Sequence, residues 1–156
     1  MKKVLIALDY DPTAQKVAEA GYEIAGLMNA KVLLLHVISN PVYYSSTGYS
    51  PIMGFEGYLN DDPMQLYTVE ALKTASLNFL AKSRIHLGDN SIEIMVDEGE
   101  SSSVIIKAAK KWNADIIVMG SHSRKWLENI VMGSVTEQVL HRTTVPLYII
   151  PTKKHR

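Results

Sequence analysis

Four short apolar runs constrain this chain more than anything else in it. Val4 to Leu8, Lys31 to Ile38, Ile116 to Met119 and Val145 to Ile150 lack the polar alternation of a strand with one wet face. Near-continuous runs of this length fit strands buried on both faces of a parallel sheet. A fifth run, Ile92, Ile94 and Val96, alternates with Ser91, Glu93 and Met95, so it is expected half-exposed at a sheet edge. Helical patterns separate the runs, giving an open, mostly parallel α/β sheet with helices on both faces.

The first strand ends at Asp9, where ligands bind in open sheets of this kind. Asp11-Pro12-Thr13 has the form of an N-cap, a first helical proline and a first turn. Val17, Gly21, Ile24, Ala25 and Met28 then follow at helical spacing. His36 lies inside the second strand, where a lone histidine is more often a satisfied core residue than a ligand. From Ser39 to Asp61 the pattern breaks into an irregular stretch carrying Tyr43, Tyr44, Tyr49, Phe55 and Tyr58. Those aromatics suit stacking on a base, covering a partner, or packing on the body of the domain.

Asp62-Pro63 with Gln65 opens a long helix whose inward stripe is Leu66, Val69, Leu72, Ser76, Phe79, Leu80 and Ser83, closed by Gly88. After the edge strand, Asp97-Glu98-Gly99-Glu100 leads into a helix capped by one of Ser101 to Ser103, with Val104, Ile105, Ala108, Ala109 and Trp112 inward.

The fourth strand delivers Gly120-Ser121-His122-Ser123, and a second turn at Gly133-Ser134 opens the last helix. Glycines let a backbone come close to a ligand, and Ser121, Ser123 and Ser134 add hydroxyl donors. Ser134 and Glu137 have capping-box spacing, which would set free helix N–H groups beside the turn, as anion sites need. A plain capped helix fits the same spacing. No Walker lysine motif and no GxGxxG are present.

Composition narrows the partners. The 156 residues predict one domain spanning 1–156. Lys+Arg and Asp+Glu stand at 16 each, which argues against a nucleic-acid ligand. With no cysteine there is no disulfide, thiolate metal site or cysteine nucleophile. The histidines show no metal-binding spacing, and no apolar run reaches the ~18 residues of a membrane span. A cytoplasmic protein is expected.

The run Gly120-x2-Ser123-x9-Gly133-Ser134 resembles the glycine-rich nucleotide-binding signature of universal stress proteins, G-x2-G-x9-G-[ST]. The likeness extends from Val4-Leu5-Ile6-Ala7-Leu8-Asp9 through Leu34-Leu35-His36-Val37 to Val145-Pro146-Leu147-Tyr148-Ile149-Ile150. It implies five strands in the order 3-2-1-4-5. It also implies an adenine nucleotide, most simply ATP, held by regulatory binding rather than fast catalysis. Asp9 and Val37 would take the adenosine end with Met119 nearby, and Gly99 would lie near the base. Gly120, Ser123, Gly133, Ser134 and Val135 would cradle ribose and phosphates. Any Mg²⁺ would come through the phosphate oxygens. The last strand, Val145 to Ile150, would pair across a homodimer.

Ser123 stands where the nucleotide-binding branch has its second glycine. A strained backbone there would cost about 1–2 kcal/mol, which a hydroxyl facing phosphate offsets. Serine is also small, unlike the bulky replacements in members that do not bind ATP, so ATP binding is the expectation. The alternative is the non-nucleotide-binding branch, acting through dimerisation and protein partners. Two enzyme readings are remote. Asp9-x-Asp11-x-Thr13 resembles the nucleophile motif of haloacid-dehalogenase-type phosphatases, but the distal acidic metal site is missing. A phospho-accepting receiver would need a closer lysine than Lys153. Hydrolysis of ATP has only His122, Arg124 and Lys125 as nearby candidates, so at most a slow ATPase is expected.

Overall fold

The structure is a computed structural model that describes residues 1–39, 69–121 and 132–152. Its elements are β1 (Lys3–Ala7), α1 (Ala14–Leu27), β2 (Lys31–Ile38), α2 (Val69–Leu87), β3 (Glu93–Glu98), α3 (Ser101–Trp112), β4 (Ile116–Gly120), α4 (Ser134–Arg142) and β5 (Leu147–Ile150). The strands form one sheet in the order 3-2-1-4-5, with every adjacent pair parallel. Expected order and fold class are met. The tyrosine-rich stretch beyond Ser39, the helix start at Asp62-Pro63 and Ser123 lie outside the described residues.

The continuous runs are explained by two cores. Val4, Ile6, Leu34 and Val118 pack with Val17, Ala18, Phe79 and Leu80 under α1 and α2. Their neighbours Leu5, Leu33, Leu35, Ile117 and Met119 pack with Ile105, Ala109 and Val139 under α3 and α4. A two-residue period between two covered faces leaves few positions for a polar residue, and His36 in β2 occupies one. Each such side chain contributes about 1.5–3 kcal/mol of burial. β3 is an edge strand of mixed exposure, as its alternation predicts.

Register brings the site together. Ile6 sits opposite Val118, so Leu8 and Asp9, just past the end of β1, lie beside Gly120 at the end of β4. Asp115 fixes this alignment from the other end, accepting the Lys3 N–H on its carboxylate at 2.9 Å and donating its own N–H to the Lys3 carbonyl at 2.8 Å.

Three helix starts differ from the sequence reading. α1 begins at Ala14, after a tight turn in which the Ala14 N–H reaches the Asp11 carbonyl at 2.9 Å. Its N-cap is Thr13, with no side-chain cap bond, and the Asp11 carboxylate instead braces the preceding turn, accepting from the Thr13 N–H at 2.8 Å. The cap of α3 is Glu100 rather than a serine. Its carboxylate accepts from the Ser102 and Ser103 N–H groups at 3.2 and 2.9 Å. Gly99, at φ +137°, supplies the bend before it, a backbone state side chains rarely adopt.

The Ser134–Glu137 capping box does not form. Gly133 is the cap, in extended conformation, and its carbonyl accepts the Glu137 N–H at 2.9 Å. Glu137 is therefore one position too far along to reach back. Its carboxylate lies 3.8 Å from His141 Nε2 instead.

Candidate functional site

A crevice of about 590 Å³, counted out to its open mouth, lies at the carboxyl ends of β1 and β4. The chain leaves these adjacent strands toward opposite faces of the sheet, and open α/β sheets bind ligands at such a switch point. Leu35, Val37, Ile105 and Met119 form apolar wall; Asp9, Asp11, Thr13, Ser101 and Thr136 add polar groups. An apolar slot with a few convergent polar groups suits a flat heterocycle with a polar substituent.

The β1–α1 turn is built from its own aspartates. Asp9 accepts the Tyr10 N–H on its carboxylate at 2.8 Å, and the Asp11 N–H donates to the Asp9 carbonyl at 2.9 Å. Asp11 accepts the Thr13 hydroxyl at 2.6 Å as well as the Thr13 N–H. Short polar side chains that bond to backbone two residues on hold such turns in one shape.

Across the crevice, the start of α4 is tied to the end of β4. Thr136 donates its hydroxyl to the Gly120 carbonyl at 2.8 Å, and the Gly133 N–H reaches the Ser121 carbonyl at 2.6 Å. Ser121 has a structural role. It is buried, its hydroxyl accepts the Thr152 N–H at 3.0 Å, and its own N–H goes to Ile150. That hydroxyl anchors the segment after β5, contrary to the expectation that it joins an anion site.

Of the nine residues singled out from the sequence, Asp9, Val37, Met119, Gly120 and Val135 line the crevice. Gly133 and Ser134 flank it at the head of α4. Gly99 lies outside the lining, its N–H bonded to the Ile38 carbonyl at 3.1 Å, and Ser123 is outside the described residues. Thr13, Ser101 and Thr136 also line the crevice. The sequence signal for them was position: each falls at the N-cap or in the first residues of a helix that follows a β-strand, the turn that faces a switch point.

Among the described residues the lining holds two carboxylates and no lysine, arginine or histidine. Three helix starts reach the crevice, and they differ electrically. At α3 the Glu100 carboxylate covers the N–H groups, and hydrogen bonds from the Ser102 and Ser103 side chains hold its pKa down at about 2. At α4 the cap is a glycine with no side chain to cover them. The termini of α1 and α4, neither with a side-chain bond from its cap residue, therefore turn positive dipole toward the crevice, with Glu137 in the first turn of α4 offsetting part of it there. No group of three His, Asp or Glu residues is clustered as a metal site among the described residues, nor is any helix there long and apolar enough to cross a membrane.

Comparison with known proteins agrees with this architecture. Universal stress protein MJ0577 of Methanocaldococcus jannaschii is 26% identical over 155 residues, covering 97% of this chain and 96% of that protein. Universal stress protein A of Escherichia coli K12 is 28% identical, covering 97% and 95%. The solved structure of MJ0577 superimposes with a TM-score of 0.73 at 27% identity, covering 99% of this chain and 98% of its own. A universal stress protein solved in complex with cAMP shares the fold, with a TM-score of 0.61 at 18% identity, covering 97% and 98%. Residues 1–151 match the pattern of the Universal stress protein family, and the chain belongs to that family.

Proposed function

We propose that this protein binds an adenine nucleotide, ATP by preference, in the crevice between β1 and β4, and that it acts by binding rather than by rapid catalysis. One observation carries the reading: Asp9 from β1, Gly120 from β4 and the head of α4 at Val135 and Thr136 converge on a single opening. The apolar side at Val37, Ile105 and Met119 suits adenine, the Asp9 carboxylate suits an amino or hydroxyl donor, and the glycine-capped α4 terminus suits phosphate. The cAMP complex of a related fold supports the ligand class.

The charge balance adds a requirement. With two carboxylates and no cationic side chain in the described lining, a triphosphate needs Mg²⁺ held through its own oxygens. Gly120, Gly133, Ser134, Val135 and Ser123 would meet ribose and phosphates; Gly99 would act only through the shape of the β3–α3 turn. Hydrolysis would be slow, because nothing in the described lining combines a base with a stabiliser of transition-state charge.

We place self-association on β5, whose outer edge no described strand pairs. One domain spanning 1–156 and a cytoplasmic setting complete the reading. The test is mass spectrometry of small molecules released from freshly purified protein, with thermal unfolding in ATP and Mg²⁺. A retained adenine nucleotide or a saturable rise in Tm is expected. Neither signal would move the chain to the branch that works through protein partners.

A further inference from the structure

Two polar side chains are buried behind the crevice, on the other side of the sheet. His36 is 1% exposed and Ser76 is fully buried, although the positions beside them are apolar. His36 alternates with Leu35 and Val37, so its ring enters the α1/α2 layer while theirs enter the α3/α4 layer. Its Nδ1 lies 2.8 Å from the Leu8 carbonyl oxygen. A carbonyl only accepts, so this nitrogen carries the proton and donates. The bond fixes the last peptide before Asp9.

Tyr10 completes the arrangement from the other side of Asp9. Its N–H is held by the Asp9 carboxylate. Its ring lies against His36, with centroids 4.1 Å apart, and edge-on to Phe79 at 5.2 Å. Its hydroxyl bonds to the Ser76 hydroxyl, which donates its own proton to the Leu72 carbonyl at 2.6 Å. Ser76 has one proton, so Tyr10 is the donor of the shared bond. Asp9 is thus bracketed: Leu8 is pinned to β2 through His36, and Tyr10 is pinned to α2 through Ser76.

We propose that His36 and Tyr10 are positioning residues for the ligand site, holding the Leu8–Asp11 turn so that the Asp9 carboxylate faces the crevice. This rests on the nucleotide reading above. Apolar residues of the same shape would serve the core as well, since buried polar groups gain little net stability over well-packed apolar ones. What the polar network adds is a single arrangement of the turn. Neither residue touches the crevice, so the effect passes through Asp9. The same links connect the crevice to α2.

The test uses the full chain with His36→Leu, His36→Asn and Tyr10→Phe. Binding of ATP with Mg²⁺ is read by calorimetry, and the turn by amide hydrogen exchange at Tyr10 and Asp11. His36→Leu is expected to weaken binding about tenfold and speed exchange at both amides, the loss of one buried carbonyl bond and its fixed geometry. The side-chain amide introduced by His36→Asn keeps a donor where Nδ1 stood, so this variant should recover affinity to within about threefold of wild type. Tyr10→Phe removes one hydroxyl, should cost about threefold, and carries the test if His36→Leu does not fold. Folded variants with wild-type affinity and wild-type exchange would overturn the positioning role alone. An absence of heat with wild type would instead overturn the nucleotide reading on which it rests.

Discussion

The hydroxyl of Thr136 donates to the carbonyl of Gly120 at 2.8 Å, joining the first turn of α4 to the last residue of β4. The bond is buried at the Thr136 end and spans the part of the crevice assigned to phosphate. Thr136→Val keeps the shape and strands the carbonyl. Chemical denaturation should show a loss of about 1–2 kcal/mol, and ATP affinity should fall several-fold as the α4 terminus loosens. Unchanged affinity in a folded variant would show that the terminus does not hold the ligand.

Gly21 lets α1 settle on the sheet. A Cβ there would stand 2.8 Å from Ile6 Cδ1 and 3.1 Å from Val118 Cγ1, both side chains fully buried, whereas a Cβ at Gly26 would meet nothing within 4 Å. Ala gains about 1 kcal/mol over Gly in a helix, and overpacking costs about 1–3 kcal/mol. Gly21→Ala should therefore lower Tm and Gly26→Ala should leave it level or raise it. Ile6→Val in the Gly21→Ala background should return part of the loss.

Glu100 makes stability depend on pH. Its folded pKa is about 2 against an ordinary 4.5, chiefly through the Ser102 and Ser103 side-chain hydrogen bonds. A depressed carboxylate pKa gives stability that is complete above the unfolded value and is lost as pH falls through the folded one. The window is therefore pH 4.5 down to 2. The side chain is 55% exposed, so after solvent screening the cap is worth about 1 kcal/mol at neutral pH. Urea titrations should find Glu100→Ala less stable than wild type by that amount at neutral pH, with the gap closing as the folded-state pKa is approached. A gap that stays constant would assign the effect to packing.

The edge of β5 sets the association prediction. The carbonyls of Pro146 and Ile150 accept from β4 and the residue after it, so by strand alternation the outward backbone groups belong to Leu147 and Ile149. Tyr148 is 47% exposed. Sedimentation should find a wild-type dimer, and Ile149→Pro, which removes an outward N–H, should be a monomer that still binds ATP. A monomeric wild type would contradict self-association, and a dimeric Ile149→Pro would place it elsewhere.

The strands were legible because the sheet is buried on both faces, which forces apolar runs such as Val4 to Leu8; their order was legible only through the resemblance to universal stress proteins. The switch point then followed from topology, and with it Asp9 and Gly120. Capping was less legible. Ser134 and Glu137 have the right spacing, yet a residue one step earlier took the cap because Gly133 was already extended. Glutamate is an uncommon cap, and Glu100 serves only because two serines donate back to it. The tether from Ser121 to Thr152 joins residues far apart in sequence, and nothing local announces it. His36 was legible as a core residue; its bond to the carbonyl beside Asp9 was not, because that depends on the register of β1 against β2.

The most direct measurement is isothermal titration of the wild-type protein with ATP in Mg²⁺, repeated in EDTA and with Asp9→Ala. The account predicts saturable binding at one site per chain, weakened about tenfold or more when Mg²⁺ is removed, because unscreened phosphates then enter a crevice whose described lining holds two carboxylates and no cationic side chain. Asp9→Ala should weaken it by a similar factor. No heat up to millimolar ATP, or binding indifferent to Asp9, would contradict a nucleotide site between β1 and β4.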